Sequence, residues 1–181
     1  MNYYIADLHL GHSNIIRLCN RPFKDVDEMD EALIKNWNSV VTNNDDVYII
    51  GDLCYKSGNH PVEYLKRLNG KKHLIIGNHD GRILKDFSCR KCFDSINEML
   101  TINDNGKMVV LCHYPLVEWN GFFRNSIHIY GHIHNNTKND TYKIVSKIPN
   151  AYNAGADILN FTPQTLDNVI NLNKEFNKKN K

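Results

Sequence analysis

The sequence predicts an α/β fold (α+β in some schemes) built as a mixed-sheet sandwich with helices on its outer faces. Short apolar runs with strand character alternate with amphipathic segments along the first half, and the second half adds runs typical of antiparallel pairing. The 181 residues are 41% hydrophobic and 23% charged, an ordinary globular composition. We therefore expect residues 1–181 to form a single domain.

The first half of the chain predicts helices between short buried strands. A strand at residues 2–6 precedes a short helix at residues 13–19 and a longer amphipathic helix at residues 26–41. Four apolar side chains recur at helical spacing in the longer helix: Met29, Leu33, Trp37 and Val40. Their stripe makes this helix a core element. Further strands are expected at residues 47–50 and 73–76.

The middle of the chain predicts two more helices and a hairpin. Residues 61–68 are expected to form a helix whose first turn accommodates Pro61, and residues 82–87 a short one. Residues 93–103 and 107–112 are expected to pair across an Asp-Asn-Gly turn.

The last part of the chain predicts three strands and a helix. The strands are expected at residues 127–130, 142–145 and 151–154, and the helix at residues 165–176 with Thr165 as its cap.

Five of the apolar runs end abruptly in residues that bind metals or turn the backbone. The five groups are Asp7 with His9; Gly51 with Asp52; Gly77 with Asn78, His79 and Asp80; His113; and Gly131 with His132 and His134. In open sheets with crossover helices, functional groups gather at the carboxyl ends of the strands. We therefore expect the five groups to converge on one crevice.

Local geometry suits these groups to chelation. Alternate residues of an extended segment point to the same side, so Asp7 and His9 can aim at one point. The same holds for His132 and His134. Three glycines precede ligands: Gly51, Gly77 and Gly131. A residue free to adopt positive φ lets the backbone turn sharply and approach an ion.

The ligand types predict divalent cations of intermediate hardness. Imidazole, carboxylate and amide oxygen without thiolate suit manganese, iron, nickel, zinc or magnesium. Seven protein ligands are too many for one ion, so we expect two divalent ions, with manganese favoured. Asp52 stands between the flanking groups in sequence and is the natural bridge. Two ions roughly 3.5–4 Å apart can bind one hydroxide and both sides of a phosphoryl group.

In this order, the five groups resemble the signature of the calcineurin-like metallophosphoesterases. That family's motifs read D-x-H, G-D, G-N-H-D/E, H and G-H-x-H, and all five stand in order over about the first three quarters of the chain. Residues 12–16, 20–23 and 119–121 also resemble the small bacterial and phage members. The resemblance implies a phosphoric ester hydrolase with a four-layer αββα sandwich, in which two mixed β-sheets are flanked by helices.

The resemblance also implies a role for each residue. One ion would be bound by Asp7, His9, Asp52 and His134. The other would be bound by Asp52, Asn78, His113 and His132. His79 would then lie beside the ions and act as general acid, or as a hydrogen-bond donor to the leaving oxygen. An imidazole titrates near neutrality, so it can give a proton to a leaving alkoxide and recover it from water.

One position departs from part of the family. Calcineurin-type protein phosphatases carry G-D-x-x-D-R-G, whose second Asp orients the histidine, whereas this chain has Tyr55 at that position. Asp80 or a backbone carbonyl could orient His79 instead. The departure makes a phosphoprotein substrate less favoured.

Charge predicts a mild preference for diesters. Two ions, two aspartates and a bridging hydroxide leave about +1 at the reacting centre. A phosphodiester monoanion balances that charge, whereas a monoester dianion needs further cations, normally arginine. Arg21 and Arg124 are the candidate substrate contacts, with Asn78 and His12 as further ones.

These observations predict a reaction and leave two rivals. We expect a metal-bridging hydroxide to attack phosphorus in line while His79 assists the leaving group, on a small nucleotide-like phosphodiester or phosphomonoester. The rivals are a catalytically silent metal-binding interaction module of the same fold and a nuclease. The complete ligand set disfavours the first, and the absence of extra DNA-binding domains disfavours the second.

Composition and charge indicate which classes of partner are disfavoured. A formal net charge of only +2 gives no global basic field, so nucleic acid is a disfavoured partner, although a local patch is allowed. No apolar run could span a bilayer and Asp7 leaves no room for a signal segment, so we expect a cytoplasmic protein without a membrane partner. Five cysteines without a paired framework agree with a reducing compartment, and Cys89 and Cys92 are expected to be structural. The oligomeric state stays open.

Overall fold

The computed structural model describes residues 1–180, which form two four-stranded sheets. The first sheet contains, in spatial order, β1 (Asn2–Ile5), β2 (Asp46–Ile50), β3 (Lys71–Ile75) and β4 (Ser95–Asn97). The second contains β5 (Met99–Asp104), β6 (Lys107–Cys112), β7 (Ile127–Tyr130) and β8 (Ala151–Asn153). All named pairs of the first sheet are parallel, with one antiparallel bridge from Tyr4 to Gln164. In the second sheet β5 and β6 pair antiparallel and the other pairs are parallel.

Helices cover the outer faces of the sheets. Within residues 1–180 they are α1 (Ser13–Leu18), α2 (Val26–Val40), α3 (Pro61–Arg67), α4 (Gly81–Lys85), α5 (Phe87–Arg90), a 3₁₀-helix (Phe122–Arg124), α6 (Asp140–Val145) and α7 (Leu166–Lys179). No helix in this part of the chain has both the length and the apolar character needed to cross a bilayer.

Apolar side chains fill three layers, and alternate strand residues supply them because successive side chains point to opposite faces. In β2, Ile49 packs with Trp37 of α2, whereas Ile50 packs between the sheets with Leu111. In β6, Val110 belongs to a third layer on the outer face of the second sheet. The arrangement is a four-layer αββα sandwich, which confirms the predicted fold class.

The long helix α2 shows how local signals and burial agree. The side chain of Asp25 accepts the backbone N–H of Glu28 and so satisfies one free donor of the first turn. Trp37 is fully buried, and its indole N–H donates to the carbonyl of Asn69 at 2.9 Å. The predicted core stripe is therefore the face by which α2 joins the first sheet.

The predicted hairpin is divided between the two sheets. Residues 95–97 form β4 beside β3, and only β5 pairs with β6. The reason lies in burial: Ile96 packs against the helix side of the first sheet, whereas Leu100 and Ile102 pack between the sheets. Ile96, Leu100 and Ile102 are even numbers of residues apart, so in one continuous strand they would all point to the same face and could not reach two layers.

Residues 142–145 are helical, so the strand predicted there is wrong. The side chain of Asn139 accepts the backbone N–H of Thr141 at 2.8 Å and caps α6. Val145 is buried while Ile144 is exposed, so the short helix buries one side only. The helix predicted at residues 82–87 also ends early, because Asp86 caps α5 by accepting the backbone N–H of Cys89.

Candidate metal centre

The five predicted ligand groups follow β1, β2, β3, β6 and β7, and the structure brings them together at one end of the sandwich. Contacts cross between the sheets at that end. The backbone N–H of His132 donates to Asp7 Oδ2 at 2.9 Å, and His113 Nδ1–H donates to the carbonyl of Ile50 at 2.9 Å. The crevice forms where the carboxyl ends of the parallel strands meet.

Left-handed backbone, rather than an extended strand, sets the direction of most of the predicted ligand side chains. Five ligand positions have positive φ: Asp7 (55°), His9 (53°), Asp52 (56°), His132 (71°) and His134 (50°). Residues other than glycine rarely adopt this region, and such strain concentrates at functional sites where the surrounding structure enforces it. Asp7 and His9 do point at a common site, but the extended conformation predicted for both pairs is wrong, because all four residues have positive φ.

The three glycines contribute in two ways. Gly51 has a φ of 80°, as predicted. Gly77 and Gly131 instead allow close approach: a Cβ at Gly77 would collide with the Asp52 carboxylate, and one at Gly131 would lie 2.7 Å from Asp7 Oδ2. A larger residue at either position would displace a carboxylate of the site.

Asp52 occupies the centre of the cluster. Its Oδ2 lies 3.6 Å from His9 Nε2 and 3.6 Å from His113 Nε2. Its Oδ1 accepts the backbone N–H of His79 at 2.8 Å, which fixes the carboxylate. One carboxylate oxygen is therefore equidistant from two imidazoles that face it from different groups, as a ligand shared by two cations would be.

On one side of Asp52, an amide oxygen lies between two histidines. Asn78 Oδ1 is 3.1 Å from His113 Nε2 and 3.0 Å from His132 Nδ1. Because His113 uses its Nδ1–H for the Ile50 carbonyl, its Nε2 is left as a ligand atom. These three side chains offer one oxygen and two nitrogens around a common point.

On the other side, ligand atoms of Asp7, His9 and His134 all lie within 4.8 Å of one another. Asp7 Oδ1 and both ring nitrogens of His9 are buried and have no hydrogen-bond partner within residues 1–180. Buried polar atoms are normally paired, and a cation among these residues would satisfy Asp7 Oδ1 and one of the two His9 nitrogens. The residues present thus fit a divalent metal ion.

Known proteins resemble this chain over nearly its full length. The chain is 36% identical over 172 residues to the Methanocaldococcus jannaschii protein MJ1445, a match that covers 94% of this chain and 89% of that protein. The Aquifex aeolicus protein AQ665 has a TM-score of 0.72 at 27% identity, covering 95% of this chain and 98% of the other. The Pseudomonas putida nuclease MPE is more distant, with a TM-score of 0.46 and 18% identity over 74% of this chain and 60% of that one. No family model matches the sequence.

Two observations decide the family. The five motif groups meet around one carboxylate at the end of an αββα sandwich, and a relative matches this chain over 94% of its length. The chain belongs to the calcineurin-like metallophosphoesterases. Membership supports a metal-dependent phosphoesterase, and the buried cluster of histidines and aspartates fits divalent metal binding.

Burial of Asp7 and His9 shifts their pKa values in ways that affect cation binding. Burial raises the pKa of Asp7 to about 6 and lowers the pKa of His9. A metal ligand must be an ionised carboxylate or a neutral imidazole. Burial therefore already favours the neutral His9 that a metal needs, and a bound cation would stabilise Asp7 in its ionised form.

Arg21 is not a substrate contact, which corrects the prediction. Its side chain is 0% exposed, and its guanidinium donates to Asp157 Oδ1 at 2.8 Å. It also donates to the carbonyls of Asp7 at 2.7 Å and Leu8 at 2.8 Å. The two carbonyl bonds hold the turn after β1, the third bond pairs the guanidinium with Asp157, and the buried side chain is not open to a substrate.

Asp157 is a site residue that the sequence reading missed. Its Oδ2 accepts Nδ1–H of His134 at 2.8 Å, which leaves His134 Nε2 free to bind a cation. Burial raises the pKa of Asp157, but the hydrogen bond from His134 and the charge of Arg21 lower it by more, so it stays ionised. The signal that could have found it is its position just beyond β8, a sixth strand end.

His79 lies at the edge of the metallophosphoesterase site. Its Nε2 is 4.0 Å from Asp52 Oδ2, and its ring packs on the Tyr55 ring with centroids 3.9 Å apart. Asp80 does not orient it, because that carboxylate accepts three backbone N–H groups at 2.8–3.0 Å. The three donors are Asp52, Leu53 and Gly77. Tyr55 is therefore the side chain that supports His79 directly.

Asp30 is a second anchor that the sequence reading missed. It lies on α2, is buried, and accepts the backbone N–H of Gly11 with both oxygens at 2.9 and 3.1 Å. It also accepts the hydroxyl of Tyr64 at 2.8 Å. These bonds attach the segment after β1 to the helical layer.

Two clefts open on either side of His79, with volumes of about 530 and 410 Å³. The larger one includes His12, whose Nδ1 is buried without a partner within residues 1–180. The smaller one includes Asn78 and Tyr55. Arg124 ends the exposed 3₁₀-helix and lines neither cleft.

Proposed function

We propose that the protein hydrolyses a phosphodiester in preference to a phosphomonoester, with two divalent cations that share Asp52. The observation that carries the proposal is the position of Asp52 Oδ2, 3.6 Å from Nε2 of both His9 and His113. The residues proposed for one cation are Asp7, His9, Asp52 and His134. Those proposed for the other are Asp52, Asn78, His113 and His132. Bound cations would polarise the phosphoryl oxygens and lower the pKa of a water nucleophile.

The protein's own side chains would orient the substrate and move the proton. Asn78 is exposed, so its amide can contact a phosphoryl oxygen while its Oδ1 lies between two histidines. His79 is 32% exposed beside Asp52, within reach of a leaving oxygen. There it donates a proton to that oxygen and recovers one from water.

The positions of the two predicted arginines support the preference for diesters. Arg21 is paired with Asp157, and Arg124 lies outside both clefts. Neither predicted arginine therefore adds positive charge at the reacting phosphate. A monoanionic diester is balanced by the centre alone, whereas a dianionic monoester is not.

Metal depletion tests the proposal. Protein stripped with chelator should hydrolyse neither bis(p-nitrophenyl) phosphate nor p-nitrophenyl phosphate, and added manganese should restore turnover. We expect a higher kcat/KM for the diester. Asp52→Asn should reduce kcat/KM by about 100-fold or more and lower the metal content per chain. Asp27→Asn, on the exposed side of α2, is the matched control.

The leaving group tests the role of His79. His79→Asn should reduce kcat/KM more for an alkyl leaving group than for p-nitrophenolate, because only the alkoxide needs a proton. Equal losses with both substrates would contradict this role. A wild-type protein that holds its full metal content and hydrolyses no phosphoester would instead support the rival hypothesis of a silent binding module.

A further inference from the structure

The smaller cleft beside His79 is basic. It is lined by three cationic side chains, Lys56, Arg82 and Lys85, and by no carboxylate among the residues that the structure describes. None of the three forms an ion pair within residues 1–180. Three unpaired positive charges on one wall of a cleft make a site for an anion.

These cations are held in place by the chain. Arg82 Nη1 donates to the carbonyl of Ser57 at 3.0 Å, which leaves its other N–H groups free. Lys56 has a left-handed backbone with φ of 47°, and its ammonium lies 5.2 Å from the centroid of the Tyr55 ring. Lys85 lies three residues beyond Arg82 on α4, so both side chains project from one face of that helix.

The cleft on the opposite side of His79 has a different character. Its walls include imidazoles, apolar side chains and amides, and among the residues described it has no lysine or arginine. The residues that are not proposed ligands include Ile15, Leu18, Asn135, Asn136 and Asn139. Among the described residues, lysine and arginine side chains thus line the cleft on only one side of the reacting centre.

We infer that the substrate's leaving group carries a second phosphate, and that Lys56, Arg82 and Lys85 bind it. His79 lines both clefts, and the basic cleft adds Asn78 but none of the other proposed ligands, so we assign it to the leaving oxygen. This inference rests on the proposed function, because it takes His79 as the donor to that oxygen. Lysine and arginine form charge-assisted hydrogen bonds with phosphate oxygens. Successive phosphates of a single-stranded oligonucleotide and a small nucleoside bisphosphate share this chemistry.

Matched dinucleotides test the inference. Thymidine dinucleotides with no terminal phosphate, with a 5′-phosphate and with a 3′-phosphate cover both possible leaving sides. In the manganese-loaded wild-type protein, a phosphate on the leaving nucleoside should raise kcat/KM by about 10-fold or more. In Lys56→Gln/Arg82→Gln/Lys85→Gln, the ratio between the phosphorylated and unphosphorylated substrates should fall towards one.

Two further variants control for charge and for folding. Lys35→Gln/Lys66→Gln/Arg90→Gln removes the same charge from exposed positions outside both clefts, and it should keep the wild-type ratio. Lys56→Gln/Lys85→Gln leaves the bond between Arg82 and Ser57 in place, and its ratio should fall to an intermediate value. A loss of preference there cannot come from disruption of the Ser57 loop.

A binding measurement separates failure of this inference from failure of the proposed function. Fluorescence anisotropy follows a fluorescein-labelled thymidine pentanucleotide on Asp52→Asn, with thymidine 3′,5′-bisphosphate as competitor. Adding the three glutamines should weaken binding about 10-fold and reduce the slope of log K against log salt by roughly 0.7 for each lost phosphate contact. This result does not require turnover, so it stands even if no ester is hydrolysed.

The binding and kinetic outcomes distinguish the two sources of the second phosphate from failure of the inference. Oligonucleotide binding without competition identifies nucleic acid as the source of the second phosphate, and effective competition identifies a small bisphosphate; either supports the inference. Equal kcat/KM for the matched dinucleotides in the wild-type protein would overturn it. So would unchanged binding after the three substitutions, or an equal loss of activity with p-nitrophenyl phosphate, since the cations would then act on the reacting phosphate itself.

Discussion

At the scale of single residues, side chains outside the proposed ligand set hold the ligands in strained positions. Arg21 binds the carbonyls of Asp7 and Leu8, and the same guanidinium pairs with Asp157, which orients His134. One buried ion pair therefore connects the turn after β1 with the turn after β7. Left-handed backbone at Asp7 and His134 persists because this pair fixes both turns.

Asp157→Asn tests this connection. The amide keeps the shape of the side chain but leaves the charge of Arg21 buried without a partner, which should reduce the free energy of unfolding by about 3–5 kcal/mol. It also weakens the bond that orients His134, so manganese affinity should fall roughly 10–100-fold. Urea unfolding and calorimetric manganese titration measure the two effects.

Asp167→Asn is the matched control for Asp157→Asn. Asp167 pairs with Lys107 through a side chain that is 78% exposed, so its replacement should change the free energy of unfolding by about 0.5 kcal/mol or less. If Asp157→Asn kept wild-type manganese affinity, Asp157 would have only a structural role.

At the scale of elements, the helical layer positions the first ligand turn. Asp30 of α2 accepts the backbone N–H of Gly11 and the hydroxyl of Tyr64 from α3, so two helices and the segment after β1 meet at one carboxylate. His9 lies two residues before Gly11 in that segment. Hydrogen bonds from Gly11 and Tyr64 to Asp30 thus connect α2 to the segment that carries His9.

Asp30→Asn should loosen that attachment. The new amide would place an N–H donor opposite the two donors, Gly11 N–H and the Tyr64 hydroxyl, that the Asp30 carboxylate accepts. One buried donor left without an acceptor costs about 1–3 kcal/mol. We expect a loss of this size in urea unfolding, together with weaker manganese binding. Asp27→Asn, on the exposed side of the same helix, should change neither quantity, and equal effects of the two substitutions would refute the anchoring role.

The elements also show which parts of the fold could be predicted. Strands at residues 47–50 and 127–130 were predictable because both faces of a central strand are buried, which leaves a continuous apolar run. The helix α6 was not, since Tyr, Ile and Val have strand propensity and favour a strand at residues 142–145. The change of sheet between β4 and β5 depends on which layer receives Ile96, which is a tertiary property.

The candidate site divides in the same way. The convergence of the five predicted ligand groups could be predicted because each group follows its own strand, and parallel strands end together. Arg21 and Asp157 are 136 residues apart, so their pairing is visible only after folding. The basic cleft was hidden likewise, because Lys56 and Lys85 lie in separate segments of a chain whose net charge is only +2.

At the scale of the whole molecule, stability depends on buried polar groups as well as on three apolar layers. His128 of β7 is fully buried. Its Nδ1–H donates to the carbonyl of Val110 at 3.0 Å, and its Nε2 accepts the backbone N–H of Leu116 at 3.1 Å. This ring connects the second sheet to the loop that leads from His113 to β7. Only the neutral imidazole can make both bonds.

Acid should therefore weaken the fold through His128. Burial lowers its pKa from 6.5 to about 4. Between those values the unfolded chain binds the proton and the folded chain does not, so stability is present above pH 6.5 and is lost as pH falls towards 4. Linkage gives a loss of about 2 kcal/mol between pH 7 and pH 5 from this residue. His128→Asn, which cannot titrate, should be less stable at pH 7 but lose less on acidification. Urea unfolding in chelator at both pH values measures the difference, and equal pH dependence of the two proteins would show that His128 is protonated alike in both states.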